Sequence, residues 1–524
     1  MIGLLGIGLV IPLFAILFAI FPLTDTDIWW HMACAREWVT AWTPVRGPVV
    51  NVHEYFQQVV GAVYALGGAP LLVAFKAVLW GGVFALFLVP AGLCNQSGCV
   101  HDPAGEWRGR LARIFGNPHA VAAAAVILFV FRFQMEMRPV VFTLLFLGIY
   151  WNAVPWLLAR LVAGEKAIPS DKRAAERVKT CLVAFALLIL QWLWCKFQGL
   201  YILGPLFALL CLADALCRNR PARSKECSKS LVVVPAVFVT MLFAMPFLHG
   251  EGLRLFLYPF GLLDRLLGLT PSAAIFASEI AENRSPLTLF LAGENILASA
   301  LMAILTVFGM VYSIVRLVRN RENLVLWTTL FVTAVLALVA ERNFELFLPV
   351  FLFAFIHHPA YLISHYTSHI PHFFSLTICQ IVSIVILAIL LGFWAKSLTS
   401  YDKTMVAYQR VPVKAAEWMA QHPHTGRLFN DDRAGGYLAF VNPRDSIYMD
   451  GRFILKSADF FARYLRYARE PEVFLHDADS LGVDRAVFPL RFYARWGVLL
   501  GALGQSPEWD ACHVDDYYIV FCKK

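Results

Sequence analysis

Charge is scarce in this sequence. Asp, Glu, Lys and Arg make up 15% of its 524 residues, against about a quarter in an average soluble domain. Zinc-type cysteine spacing is also missing. Of eleven cysteines only Cys94 and Cys99 come close, and no partner pair lies near them, so a structural zinc is not expected. There is no internal repeat, no low-complexity stretch and no small-residue cleavage site after the first apolar run, which reads as a retained span rather than a signal peptide. These absences exclude a soluble enzyme, a disordered chain and a disulfide-built secreted domain. What is abundant is apolar: 59% of residues are hydrophobic and mean hydropathy is +0.64. This composition belongs to an integral membrane protein.

A bilayer core takes about 20 apolar residues per helix. Windows of that kind fall near 2–22, 70–93, 119–131, 139–162, 180–195, 199–217, 230–248, 295–317, 324–340, 344–362 and 373–396. The expected fold is therefore an α-helical polytopic membrane protein of about eleven transmembrane helices. With the N-terminus in the cytoplasm, sixteen Lys and Arg fall in four short cytoplasmic loops, 94–118, 163–179, 218–229 and 316–323. The opposite loops hold about half as many, which sets the orientation. The net charge of +8 is then loop charge, and no nucleic-acid partner is expected. A histidine group at 357, 358, 365, 369 and 372 reads as an interfacial loop rather than a metal site. The pattern divides the chain into 1–396, a transmembrane domain with a first outer loop at 23–54, and 397–524, an outer-face soluble domain.

The last segment changes character. Val411–His422 and Phe460–Arg469 read as helices, and Arg427–Phe429, Ser446–Met449, Arg485–Phe488 and Tyr517–Phe521 as strands. Ala434-Gly435-Gly436 reads as a turn between the first two strands. Interleaved strands and helices predict a small α/β domain. Cys512 and Cys522 lie on its oxidising side, and their pairing is left open.

On the outer side, polar residues cluster at span ends. Asp25, Asp27 and His31 follow the first span, and His53, Glu54, Gln57 and Gln58 precede the second. Arg132, Glu136 and Arg138 lie between the third and fourth, Lys196 and Gln198 between the fifth and sixth. Glu341, Arg342 and Glu345 lie between the ninth and tenth. Ionisable groups at membrane depth line cavities or pair with each other, so these clusters are expected to converge. Asp27 and His31 share a face of a Trp-rich helix expected over 27–42, lying in the interface plane. Carboxylates beside a cationic wall suit general-base chemistry, with the cations holding a phosphorylated leaving group. Asp25 and Asp27 also form a possible seat for a divalent cation, Mg or Mn. The plainer readings are a helix cap for Asp25-Thr26-Asp27 and snorkelling for Arg132 and Arg138.

Several motifs carry a resemblance. Asp25-Thr26-Asp27-Ile28-Trp29-Trp30-His31-Met32 resembles the D-x-D-x-W-W-H motif of multi-span bacterial proteins grouped with the GT-C glycosyltransferases. His53-Glu54-Tyr55-Phe56 with Leu66-Gly67-Gly68 resembles their H-E-W-L and L-G-G. Arg138-Pro139, Trp194-Cys195-Lys196-Phe197-Gln198-Gly199 and Glu341-Arg342-Asn343-Phe344 resemble their R-P, W-x-N-x-H-G and R-N elements. Asn430-Asp431-Asp432 to Gly435-Gly436-Tyr437, and Met449-Asp450-Gly451-Arg452, resemble their N-x-x-x-G-G-Y and D-G-R. The resemblance implies a GT-C-like fold in the bacterial inner (plasma) membrane. It also implies transfer of a sugar from a polyprenyl-phosphate donor to a lipid, glycan or protein acceptor on the outer face, among membrane lipids. By that likeness the acid of the first loop is Asp25 or Asp27; a helix N-terminus at Asp27, expected to keep its carboxylate ionised, ranks Asp27 first and Asp25 second, with Glu54 third, completing the acidic wall. His31, His53, Arg132, Glu136, Arg138, Lys196, Gln198 and Arg342 would bind substrate. Lys196 and Gln198 replace the family's Asn and His. The alternatives are a non-catalytic relative that binds or scaffolds envelope glycan, and, with less in its favour, a transporter or flippase.

Overall fold

The computed structural model describes residues 7–47, 49–88, 118–163, 170–218, 230–319, 323–357, 372–491 and 494–524. Most of the basic loops at 94–118 and 218–229, and three of the histidines at 358, 365 and 369, lie outside the described residues. The chain is predominantly helical. In order come α1 (Ile7–Phe18), α2 (Asp27–Arg36), α3 (Glu54–Leu88), α4 (Pro118–Val130), α5 (Val140–Ala163), α6 (Arg173–Trp194) and α7 (Leu203–Arg218). Then follow α8 (Ser230–Ala244), α9 (Leu253–Leu267), α10 (Pro271–Glu279), α11 (Pro286–Leu291), α12 (Ile296–Arg319), α13 (Leu324–Val339), α14 (Phe344–His357) and α15 (His372–Ser400).

Among these, α3, α5, α6, α12 and the Gln380–Ser400 part of α15 are long and apolar enough to cross a membrane. Residues 232–248 and α9 pass the same test only as a pair, bent by 100° between them. The protein is thus a helical membrane protein by its elements. α3 is two helices joined at a break at Gly67-Gly68, so its first half is separate from the apolar helix that follows. α1 packs on α3, α3 on α5, and α5 on α7. Gly148 of α5 faces Leu86 of α3, the small-residue contact by which apolar helices approach closely. The sequence reading gave 249–294 no structure. Three helices stand there, and α9 to α11 lie between the membrane helices and the C-terminal domain.

The C-terminal domain holds α16 (Val413–Gln421), β1 (Arg427–Asn430), α17 (Asp432–Val441), α18 (Ala458–Tyr467), α19 (Pro471–Leu481), β2 (Val483–Pro489), α20 (Gly497–Gln505), β3 (Trp509–Val514) and β4 (Tyr518–Lys523). Its sheet runs β1-β2-β4-β3, with β1 parallel to β2 and the other pairs antiparallel. This is the expected α/β layer, with two corrections. Ala434-Gly435-Gly436 is not a turn but lies inside α17, which Asp431 caps by accepting from Ala434 N at 3.0 Å. Ser446–Met449 forms no strand; its polar groups pair elsewhere. Tyr448 N donates to Asn430 Oδ1 at 2.8 Å, Asn430 Nδ2 donates to Met449 O at 2.7 Å, and Trp42 N donates to Ile447 O at 3.0 Å.

The two parts share one core. α17 packs along α2, where Trp29 meets Tyr437 at 4.8 Å and Phe440 at 5.6 Å between ring centroids. Gly435 lies under the Met449 carbonyl, and a Cβ on Gly436 would come within 3.0 Å of Trp30 N. The Gly-Gly pair therefore lets two helices and a loop meet at backbone distance. Residues 28–33 of α2 are buried on every side, so the short helix is an internal element rather than a longer one lying flat in the interface plane. Cys512 and Cys522 are both free thiols. The register puts Cys522 opposite Asp510, with a bulge between Ala511 and His513.

Candidate functional site

A cavity of about 560 Å³ opens where the first loop, the α9–α11 segment and the C-terminal domain meet. Eight arginines line it. Arg138 and Arg342 come from helix starts, Arg265 and Arg284 from the α9–α11 segment, and Arg410, Arg433, Arg452 and Arg495 from the C-terminal domain. Six acids share the lining: Asp25, Asp27, Glu279, Glu282, Glu294 and Asp432.

The centre is an ion-pair bridge. Arg138, fixed by the Arg138-Pro139 entry to α5, donates Nε to Asp25 Oδ2 at 3.0 Å and Nη2 to Oδ1 at 3.3 Å. The same Nη2 reaches Glu282 Oε1 at 2.6 Å. Glu282 stands on a short turn beside Asn283, whose Oδ1 accepts from Arg342 at 3.3 Å. Burial pushes the Glu282 carboxyl up, but Arg138 and Arg342 outweigh it and hold the group down at about 2. Asp25 also accepts from the Asp27 backbone N–H at 3.2 Å. On the far wall Arg452 donates to Asp450 at 2.6–3.0 Å and to Val39 O at 2.9 Å. Its guanidinium lies 5.2 Å from the Trp30 ring and 4.9 Å from that of Trp38. Arg265 ties α9 to the turn that follows Arg452, donating to Phe453 O at 2.8 Å and Lys456 O at 3.1 Å.

Asp27 lies beside Asp25 and under Gly451. Burial, then the charge of Asp25, pushes its carboxyl up to about 8. The helix N-terminus was expected to keep it ionised. Desolvation is the larger effect and favours the protonated form. His53 also lines the cavity, and burial lowers it to about 4, so it is a neutral group.

Of the residues singled out in the sequence, Asp25, Asp27, His53, Arg138 and Arg342 meet at this cavity. Asp432, Gly451 and Arg452 of the outer-domain motifs line it too, while the other candidate substrate-binding and acidic residues lie outside its lining. His31 is buried between Trp30, Phe56 and His53. Arg132 turns onto Phe129 and Phe133, 4.1 and 4.2 Å from their centroids. Glu136 pairs with Lys76 at 3.8 Å and accepts from Thr24. Lys196 bridges Glu54, at 3.2 Å, and Glu251. Gln198 accepts from the Leu200 N–H within its own loop.

Both oxygens of Asp25 accept from Arg138, and no group of three or more His, Cys, Asp or Glu able to hold a metal occurs among the described residues. Six lining arginines and acids that matter, Arg265, Glu282, Arg284, Arg410, Arg433 and Arg495, were not singled out in the sequence. One signal was available for three of them: the charges at 265, 282 and 284 fall in the same outer segment by the Lys/Arg alternation.

No protein-family model matches the chain, and no curated protein matches it.

Chemically, the cavity presents more cations than anions, in guanidinium form, beside one buried carboxyl poised near neutral pH. Guanidinium groups bind phosphate oxygens in pairs. A general base works best with a pKa near the operating pH.

Proposed function

We propose that the protein is an integral-membrane glycosyltransferase of GT-C type. It takes a sugar from a polyprenyl-phosphate donor and passes it to a lipid, glycan or protein acceptor. The observation that carries this reading is the cavity with eight arginines around Asp27. The arginines hold the phosphate and stabilise it as leaving group; the deprotonated Asp27 accepts the proton of the acceptor hydroxyl as the new glycosidic bond forms. Arg138 pairs with Asp25 and Glu282 alongside and holds Glu282 ionised. In this reading about eleven spans place the first loop, α9–α11 and the C-terminal domain on the outer face of a bacterial plasma membrane, with the N-terminus in the cytoplasm.

The test is purified protein in nanodiscs with a panel of polyprenyl-phosphate sugars. Binding with transfer or hydrolysis of any donor supports the reading. A second reading, a non-catalytic relative that binds envelope glycan, draws on one observation. Asp25 is locked to Arg138, and burial shifts the Asp27 carboxyl towards its protonated form. Glycan binding without any donor binding would favour it.

A further inference from the structure

α9 has two faces that look into different surroundings. Leu253, Leu257, Phe260, Leu263 and Leu267 follow the three-and-four spacing of one helix face, and all are 40% exposed or more. Tyr258, Leu262, Arg265 and Leu266 stand on the opposite face and line the arginine cavity. The helix is thus a wall one side chain thick on each side.

Its direction and its neighbours say what lies outside that wall. The helix is turned by 100° from the apolar helix before it. If residues 232–248 run across a bilayer, α9 runs along its surface. Exposed apolar side chains also stand on α8 before it, at Val233, Val237 and Met241, and on α11 and α12 after it, at Leu291, Ile296 and Leu297. An apolar surface of this extent is not a water-facing one. An amphipathic helix of this kind buries its apolar face at the headgroup–acyl boundary.

The root of α9 is fixed by the residues that follow α6. Lys196 bridges Glu54, at the start of α3, and Glu251, in the bend just before α9. Tyr201 Oη donates to Leu255 O. Gly199 lies directly under the helix, where a Cβ would come within 2.8 Å of both Tyr258 and Leu262. The segment Lys196–Gly199 is therefore a cradle for α9, and Lys196 is a positioning residue.

We propose that α9 lies in the membrane–water interface as the partition between the bilayer and the cavity. The anionic head of a lipid-tethered ligand enters sideways past it, with its chain left among the lipids. The proposal rests on the reading of the cavity as a phosphate-binding site.

The test uses the full-length protein with p-benzoylphenylalanine at Leu257, Phe260 or Leu263, and in contrast variants at Tyr258 or Leu262. The protein is placed in phosphatidylethanolamine–phosphatidylglycerol nanodiscs and irradiated. Phospholipid adducts, read by mass, are expected at the first three positions and not at the other two. Adducts at all five, at none, or crosslinks to a second copy in place of lipid would overturn the placement. A second measurement reads entry. Leu257→Asp with Phe260→Asp should weaken undecaprenyl phosphate binding about tenfold, or about 1.4 kcal/mol, and leave inorganic phosphate binding unchanged. Equal loss of both, or of neither, would overturn sideways entry. If phospholipid adducts form as expected but the unaltered protein binds neither phosphate, the interfacial helix stands and the donor reading falls.

Discussion

Gly451 lies so close to Asp27 that a methyl group on it would overlap Asp27 Oδ1. The first loop and the Asp450-Gly451-Arg452 turn of the C-terminal domain are therefore one site, joined at van der Waals distance. Asp450 holds Arg452 beside Trp30, and the absence of a side chain at 451 lets the buried carboxyl of Asp27 fit beneath the turn.

Gly451→Ala should force these two segments apart. Overpacking of this kind costs about 1–3 kcal/mol, seen as a lower melting temperature in detergent. In an Asp27→Ala background the same change should cost at least about 1 kcal/mol less, since contacting residues couple by this much. Additive effects would mean that the two residues are not in contact.

The Asp27 carboxyl, at about 8 in the folded chain against 3.8 for an unburied group, binds its proton more tightly when folded. Its contribution to stability is full below the unfolded value and is lost as pH rises through the folded one. Asp27→Asn should therefore gain stability relative to the unaltered protein as pH rises towards roughly 9. The base form appears over the same range, so transfer should increase with pH through about 8. Asp27→Asn should flatten that profile and lower transfer on the order of 10²-fold. If Asp25→Asn does this instead, the proton acceptor is Asp25.

Arg342 faces the cavity and Arg132 does not. Arg342→Gln should weaken polyprenyl-phosphate binding by about tenfold, as for loss of one charge-assisted contact. Arg132→Gln should leave it unchanged. Titration by tryptophan fluorescence in nanodiscs distinguishes them, and a loss in the Arg132 variant would show that the head group lies elsewhere.

Sidedness is checked by labelling. With the exposed Cys181, Cys217 and Cys512 replaced by Ser, Asp516→Cys should react with an impermeant maleimide on intact spheroplasts. Lys172→Cys should react only after lysis. Reaction of both from outside would contradict the Lys/Arg alternation.

Much of this architecture was legible in the sequence, for identifiable reasons. Continuous apolar runs marked α3, α5 and α12, and alternating charge and turn chemistry marked β1, β2 and β4. The helices α9 to α11 were not legible. They are 15, 9 and 6 residues long, and α9 is apolar on only part of its circumference, so a window tuned to spans passes over it. Ala434-Gly435-Gly436 has the composition of a turn. It is helical because α2 and the Met449 carbonyl leave no room for side chains there. Residues 446–449 form no strand, because Asn430 and Trp42 take the hydrogen bonds a partner strand would have taken. The site was half visible. The Asp25-x-Asp27 and Asp450-Gly451-Arg452 motifs stood out, but nothing local in either says that they touch. Nor does spacing reveal that Lys196 turns away from the cavity to Glu54 and Glu251.

The pairing of α2 with α17 also sets an order of manufacture. Arg36 donates to the carbonyl of Phe440 at 3.2 Å across 404 residues of chain, so a helix translated near the beginning waits for one translated near the end. Until then Trp29, Ile28 and Met32 have no cover from that side. The nascent chain is exposed to misassembly for most of its synthesis. A fragment ending before residue 432 would lack this cover, and one beginning at 397 would bare Tyr437, Leu438 and Phe440 to water. The two halves are then made as one product: truncation at either end yields a substrate for quality control rather than a smaller working protein.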